Sequence, residues 1–76
     1  MSIFTDRVQE ARAARRMTQE QVAAAMGVDQ TWIAHVERGA RKPGMDNLVA
    51  LAIALDVSLD WLTGRTDDRA VRRRRQ

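Results

Sequence analysis

Apolar residues recur at spacings of three and four along most of this chain, which is the period of an amphipathic α-helix. The clearest run falls at i, i+3, i+4 and i+7 and consists of Leu48, Leu51, Ala52 and Leu55. It predicts a helix over residues 47–55, and either Gly44 or Asp46 can serve as its N-cap. No stretch of any length alternates apolar and polar residues as a half-buried strand does. The pattern therefore predicts an all-α protein.

Shorter runs of the same kind predict a helix near each end of the chain. A first helix is predicted over residues 3–15 from the apolar positions Phe4, Val8 and Ala11. A last short helix is predicted between Ser58, whose hydroxyl can accept from a backbone N–H of the first turn, and Gly64.

The central stretch, residues 18–39, reads TQEQVAAAMGVDQTWIAHVERG and predicts two short helices joined by a glycine turn. Thr18 as N-cap and Gln21 three residues later form a capping box, in which each side chain accepts from the backbone N–H of the other. Gly27 ends the first helix, because glycine adopts the left-handed conformation at least cost. Asp29 then caps the second helix. The five predicted helices form a small orthogonal bundle that contains a helix-turn-helix.

The chain has 76 residues, enough for one domain with one modest core. Its formal net charge is +3, but that charge is unevenly distributed. Residues 65–76 hold six Arg against two Asp, whereas residues 1–64 hold seven basic and eight acidic residues. We therefore expect a folded domain over residues 1–64 and a basic, disordered tail over residues 65–76. A sixth helix capped at Thr66 is the alternative for that tail.

The composition argues against several classes of function. The chain has no cysteine, a single histidine and no clustered carboxylates, so it offers no nucleophile, general base or metal-ligand set. We expect no enzyme activity, no cofactor and no metal. No apolar run approaches the roughly 20 residues that a membrane span needs. We therefore expect a soluble, cytoplasmic protein without a membrane partner.

Four segments carry a resemblance to a known family. They are MTQEQVAAAMGV at residues 17–28, VERG at 36–39, RKP at 41–43, and Leu51 with ALDVSLDWL at residues 54–62. In this order and spacing they resemble the lambda/434 repressor and Cro group, the XRE or Cro/C1-type helix-turn-helix family. The resemblance covers residues 4–62. It implies a lambda repressor-like DNA-binding domain whose third helix, the recognition helix, enters the major groove.

The resemblance implies base contacts from one side of the recognition helix, at Gln30, Thr31 and His35. Glutamine can bind N6 and N7 of adenine bidentately, and threonine offers a hydroxyl and a methyl group for thymine. The alternative is that Gln30 and Thr31 are ordinary exposed polar residues. Trp32 is unusual at its position in the family. Its ring either packs inward beside the preceding helix or projects toward DNA, so it stays among the candidate base-contacting residues.

Phosphate contacts are implied on both sides of that surface, at Thr18, Gln19, Arg38, Arg41 and Lys42. The resemblance gives Gln19 two roles, binding a phosphate and bracing Gln30. Cationic side chains supply salt-dependent affinity without reading sequence. The alternative for the three cations is a solvated basic loop.

A charged pair inside the domain is implied between Arg12 of the first helix and Glu37 of the recognition helix. Its role would be to fix the recognition helix in place. Removing either partner of a partly buried pair costs more than the pair contributes, because the other charge is left alone.

A two-fold dimer contact is implied at Val57, Leu59 and Trp61. The small bundle also needs apolar residues of this segment in its core. We expect Leu59 and Leu62 to point inward and Trp61 to lie partly at the dimer contact. A homodimer would place two recognition helices about 34 Å apart on a pseudo-palindromic operator.

The function expected from these observations is sequence-specific binding of double-stranded DNA by a transcription regulator, a dimeric phage-type repressor. The main alternative is an antitoxin-type module that binds a partner protein and autoregulates its operon. A third is an RNA-binding adaptor led by the arginine tail. Because no aromatic residues interleave with those arginines, stacking on single strands is not expected.

Overall fold

The computed structural model describes residues 2–70 and contains five α-helices and no β-strand within that range. The helices are α1 (Ile3–Ala14), α2 (Gln19–Met26), α3 (Gln30–Glu37), α4 (Met45–Leu55) and α5 (Leu59–Leu62). The predicted all-α fold with five helices is confirmed. Across the described residues, no helix has the length and apolar character that crossing a membrane requires.

Most of the predicted helix caps are formed. The Thr18 Oγ1 accepts from the N–H of Gln21 at 3.1 Å, and the Gln21 Oε1 accepts from the N–H of Thr18 at 2.8 Å, which completes the capping box. Gly44, and not Asp46, is the N-cap of α4. Asp29 occupies the N-cap position of α3 without a side-chain cap hydrogen bond. The start of α3 therefore keeps backbone N–H groups that no cap side chain takes up.

Two glycines turn the chain where the helices must change direction. Gly27 ends α2 with φ of 72°, in the left-handed region that glycine adopts at least cost, and α3 follows after Asp29. Gly64 has φ of 86° and lies close to the start of α1. A Cβ added at Gly64 would be 3.0 Å from Cγ2 of Ile3. A larger residue at Gly64 would therefore meet both backbone strain and a crowded neighbour.

The core lies where the five helices meet. Its buried apolar residues are Val8, Ala11, Val22, Ala23, Ile33, Val36, Leu51, Ala52, Leu55, Val57, Trp61 and Leu62. The α2 helix packs against α3 and α4, and α1 contacts α3, α4 and α5. The small side chain of Ala23 is 3% exposed, which lets α2 approach its neighbours closely. This packing fixes α3 from two sides.

Residues 65–70 differ from the disordered tail expected of them, because they are bonded to α1 and to the start of α5. The Arg7 Nη1 donates to the carbonyl oxygen of Thr66 at 2.7 Å, and the N–H of Ser58 donates to the carbonyl oxygen of Arg69 at 3.1 Å. The alternative helix capped at Thr66 is not formed across residues 66–70. Residues 71–76 lie outside the described part of the chain, so the remainder of the tail stays a prediction.

Candidate nucleic-acid interface

The α3 helix presents a polar face at its N-terminal end. Ile33 and Val36 on the opposite side are both 0% exposed, so that side of the helix is held against the core. Gln30 and Thr31 lie in the first turn and are exposed. The two predicted base-contacting residues are therefore presented on a helix whose position is fixed by packing.

The other two candidate base-contacting residues are only half-exposed. Trp32 packs partly against the core, which corresponds to the inward alternative for its ring. His35 is half-buried and lies one helical turn after Thr31. Both can offer one edge to a ligand, but less side-chain surface than Gln30 and Thr31.

A chain of hydrogen bonds ties the first residue of α3 to the interior. The Gln30 Nε2 donates to the Gln19 Oε1 at 3.0 Å, and the Gln19 Nε2 donates to the Glu37 Oε1 at 3.2 Å. Gln19 thus links both ends of α3 to the start of α2. The bracing of Gln30 that the family resemblance implies is present as a direct contact.

The Glu37 carboxylate at the end of this chain is buried, and Arg12 binds it with two nitrogens. The Arg12 Nε donates to the Glu37 Oε2 at 2.6 Å, and the Arg12 Nη2 donates to the Glu37 Oε1 at 3.0 Å. This hydrogen bonding raises the pKa of Arg12, attraction to the Glu37 charge adds to the rise, and desolvation opposes it. Glu37 is 4% exposed, so its charge needs these partners.

Two further hydrogen bonds position the same pair, and one of them involves a residue outside the predicted site. The Gln9 Nε2 donates to the carbonyl oxygen of Glu37 at 2.8 Å, and the Arg12 Nη1 donates to the carbonyl oxygen of Met17 at 3.0 Å. Gln9 thereby satisfies a carbonyl at the C-terminal end of α3. No sequence motif marks Gln9, because its partner is 28 residues away.

The N-terminus of α2 lies beside this network. The Thr18 Oγ1 accepts the capping hydrogen bond, so its hydroxyl hydrogen is still available as a donor. One N–H of the Gln19 amide binds Glu37, and the other is available for a second acceptor. Both predicted phosphate-contacting residues at this end can donate to an anion.

Most arginines of the described residues are paired with carboxylates, and the cations after α3 are not. The paired arginines are Arg7, Arg12, Arg15, Arg65 and Arg69. Arg38, Arg41 and Lys42 are exposed and form no ion pair within residues 2–70. A net positive charge therefore remains on the loop that follows α3. Unneutralised cations of this kind bind phosphates.

Arg16 is a further cation without an ion pair in the described part of the chain, and it was not among the predicted phosphate contacts. It is exposed, adopts φ of 55°, and precedes the capping box of α2 by two residues. The signal that could have found it is its position next to a helix N-terminus, which favours anions.

The predicted dimer residues are placed differently from one another. Trp61 was expected partly at a dimer contact, but it is 3% exposed. Its side chain belongs to the buried core, and Arg7 and Arg69 lie over its ring at 4.8 and 5.0 Å from the centroid. Val57 is also buried, at 4% exposed. The two side chains therefore offer almost no area to a second copy. Leu59 is half-buried and keeps some accessible surface.

The apolar surface of this side of the molecule belongs to α4 instead. Met45, Val49 and Ile53 recur every four residues along one face and are 66%, 40% and 73% exposed. Val49, Ile53 and Leu59 line the same surface groove. This stripe was not singled out from the sequence, because the same helix also carries the core residues at intervening positions.

The profile of the helix-turn-helix family matches residues 8–62 of the chain. The chain belongs to this family, of the Cro/C1 (XRE) type. The family consists of DNA-binding transcription regulators and not of enzymes.

Two curated relatives illustrate the match. The chain is 36% identical over 66 residues to the uncharacterized HTH-type transcriptional regulator YobD of Bacillus subtilis. It is 40% identical over 60 residues to the cryptic phage CTXphi transcriptional repressor RstR of Vibrio cholerae. The aligned regions cover 87% and 79% of this chain, but only 59% and 54% of the two relatives. The chain thus spans little more than half the length of these relatives.

Two solved structures share the fold. The restriction-modification controller protein C.AhdI from Aeromonas hydrophila has a TM-score of 0.74 and 37% identity, covering 78% of this chain and 89% of its own. The restriction-modification controller protein C.Esp1396I, as a tetramer in complex with its natural 35 base-pair operator, has a TM-score of 0.70 and 30% identity. That alignment covers 75% of each chain.

Proposed function

We propose that this chain is a sequence-specific regulator of transcription that binds double-stranded DNA as a dimer, with α3 in the major groove. The observation that carries the proposal is the placement of Gln30 and Thr31. They are exposed in the first turn of a helix whose opposite side is fully buried. The N-terminal residues of a recognition helix are those that reach base edges.

The proposed phosphate contacts surround these two residues. Thr18 and Gln19 offer donors at the start of α2, and the unpaired cations Arg38, Arg41 and Lys42 follow the end of α3. We add Arg16 to this set because it is exposed and unpaired within residues 2–70. Such contacts give affinity that falls with salt, and they orient the protein without reading sequence.

We propose that the dimer contact lies on the exposed face of α4 and continues to Leu59, with a second copy of this chain as its occupant. Val49, Ile53 and Leu59 line one groove there, and exposed apolar side chains grouped in this way favour a protein partner. The C.Esp1396I controller protein is a tetramer on its operator, which supports self-association in a relative of similar fold. Two-fold symmetry would present two α3 helices to successive major grooves.

The type of regulation has two candidates. A phage-type repressor is supported by the 40% identity to RstR, of which the chain covers 54%. A controller protein is supported by the 37% identity to C.AhdI, of which the aligned region covers 89%. The alignment with C.AhdI covers nearly the whole length of that protein, so we propose the controller role as an equal alternative to the repressor role.

The experiment that tests the proposal is footprinting of the purified protein on fragments selected from its own genome. We expect a protected site with two related half-sites centred about one helical turn apart. The genes beside the site distinguish the two candidates, since a controller would lie next to a restriction-modification operon. Equal protection of all fragments, or a stable complex with another protein in place of DNA, would overturn the proposal.

A further inference from the structure

We propose that Glu37 determines the orientation of the Gln30 side-chain amide and thereby makes Gln30 select adenine over guanine. The proposal rests on the proposed function, because it assumes that Gln30 reaches a base edge. Glu37 does not touch DNA in this proposal. It is a positioning residue that acts through Gln19.

The first step is the chemistry of the buried carboxylate. Arg12 donates to both carboxylate oxygens of Glu37, so both oxygens act as acceptors in the ion pair. An ionised carboxylate only accepts hydrogen bonds. Gln19 must therefore turn its NH₂ group, and not its oxygen, toward Glu37, as the Nε2 to Oε1 distance of 3.2 Å records.

The second step passes this orientation from one amide to the next. With the Gln19 Nε2 on Glu37, the Gln19 Oε1 faces Gln30 as an acceptor. Gln30 must then turn its own NH₂ group toward that oxygen, and its Nε2 lies 3.0 Å away. The donors of both amides, Gln30 and Gln19, therefore point toward the Glu37 carboxylate. A flipped Gln30 amide would place two oxygens against each other.

The third step concerns the hydrogen-bonding groups of the Gln30 amide that remain available to a base. One of its two N–H groups is used by Gln19, so the amide keeps one N–H donor and its Oε1 acceptor. Adenine presents one acceptor, N7, and one donor, the N6 amino group, in the major groove. Guanine presents two acceptors there, O6 and N7, and would confront the Gln30 Oε1 with one of them. The remaining groups therefore match adenine.

The test is selection from a random-sequence duplex library by the wild-type protein and three variants. The Glu37→Gln variant replaces an acceptor-only group with an amide that can face Gln19 either way. We expect the wild-type adenine preference at the Gln30 position to fall about tenfold in this variant, which matches the discrimination of one bidentate contact. The Gln19→Ala variant removes the hydrogen bonds that link Glu37 to Gln30 and leaves the ion pair in place. It should relax the same base position, and it serves as the test if Glu37→Gln does not fold.

The matched control is Gln9→Ala. Gln9 also donates to Glu37, but to its backbone carbonyl, so it supports α3 without belonging to the amide chain. We expect this variant to keep the wild-type ratio of adenine to guanine, even where its overall affinity drops. A purely structural role of Glu37 would lower affinity for every sequence and leave that ratio unchanged.

The outcomes separate the two proposals. If the wild-type protein enriches no sequence, the proposed function itself fails. If it enriches a site whose adenine preference survives in a folded Glu37→Gln variant, DNA recognition stands and the orientation role of Glu37 is overturned, whatever Gln19→Ala does. If Glu37→Gln does not fold, an adenine preference that survives in Gln19→Ala overturns it equally. An enriched site without an adenine at any position that Gln30 affects would also overturn it.

Discussion

Arg12 of α1 holds Glu37 at the end of α3, with Nε 2.6 Å from Oε2 and Nη2 3.0 Å from Oε1. The Glu37 side chain is 5% exposed and the Arg12 side chain 24% exposed. The pair joins residues 25 positions apart and connects the first helix to the third. Its geometry makes the position of α3 depend on α1 as well as on the apolar core.

Removing Arg12 should therefore destabilise the domain. For Arg12→Met we expect the free energy of unfolding to fall by about 3 kcal/mol, because the Glu37 charge stays buried without its partner. Since the pair raises the pKa of Arg12, its contribution is present below the ordinary arginine pKa and is lost only as the pH rises through the higher folded value. The loss should thus be the same at pH 6 and pH 8. Urea titration measures it.

The control for this prediction is Arg15→Met. Arg15 and Asp56 also form an ion pair, at 3.3 Å, but their side chains are 47% and 71% exposed. An exposed pair contributes less than about 1 kcal/mol. Equal losses for the two variants would contradict the burial argument.

Gln30 and Lys42 should separate base recognition from phosphate binding. We expect Gln30→Ala to cost about 1–3 kcal/mol of specific binding free energy and to relax one base position. Lys42→Ala should weaken binding to all sequences similarly and lower the slope of log affinity against log salt by about 1. Titrations of both variants against the selected site and a scrambled duplex measure these effects. If both variants lost the same affinity on both duplexes, the assignment of Gln30 to base contact would be wrong.

The helices were predictable because their determinants are local. The apolar positions of α4 and the capping box of Thr18 and Gln21 lie within a few residues of each other, so periodicity and cap chemistry were enough. The choice between Gly44 and Asp46 was not local, since both residues fit the cap position and only the packed fold decides.

The remainder depended on contacts between distant parts of the chain. Trp61 was expected partly at the dimer contact, but Arg69, which lies beyond the predicted domain boundary, covers its ring. Similarly, the sequence does not say which cations pair internally and which stay free. Arg16 and Arg7 look alike in the sequence, yet Arg7 binds Asp67 and Arg16 binds no carboxylate within residues 2–70.

Arg16 should behave as a phosphate contact. We expect Arg16→Ala to lower affinity for specific and non-specific DNA by a similar factor and to reduce the salt slope by about 1. The matched control is Arg65→Ala, because the Arg65 Nε is already 3.9 Å from Oδ1 of Asp60. Both variants remove one exposed arginine, so net charge alone predicts the same result. A salt slope that changes equally in both would contradict a specific role for Arg16.

Ile53 should be required for self-association. It is 73% exposed on the apolar face of α4 and lines the same groove as Val49 and Leu59, so Ile53→Glu places a charge in the proposed dimer contact without disturbing the core. We expect the variant to sediment as a monomer at concentrations where the wild-type protein is a dimer. Its affinity for the two-half-site operator should drop, while binding to one half-site is retained.

Ala13→Glu serves as the control for the Ile53 prediction, since it adds the same charge at an exposed position of α1 that does not line the groove of Val49, Ile53 and Leu59. If the Ile53→Glu variant still dimerises, the dimer contact does not lie on this face of α4.

Arg69 should determine the exposure of Trp61. Its guanidinium lies 5.0 Å from the ring centroid and pairs with Glu10 at 2.6 Å, which ties residues 65–70 to α1 and α5. In a Trp32→Phe background, which leaves one fluorophore, Arg69→Ala should shift Trp61 emission to longer wavelength and increase its quenching by acrylamide. The cation–π contact and the exposed ion pair together suggest a loss of about 1 kcal/mol in the free energy of unfolding. Arg65→Ala in the same background should leave emission unchanged, because the Arg65 partner is Asp60. If neither variant changes the emission, residues 65–70 do not cover Trp61 in solution, and the domain ends at residue 64.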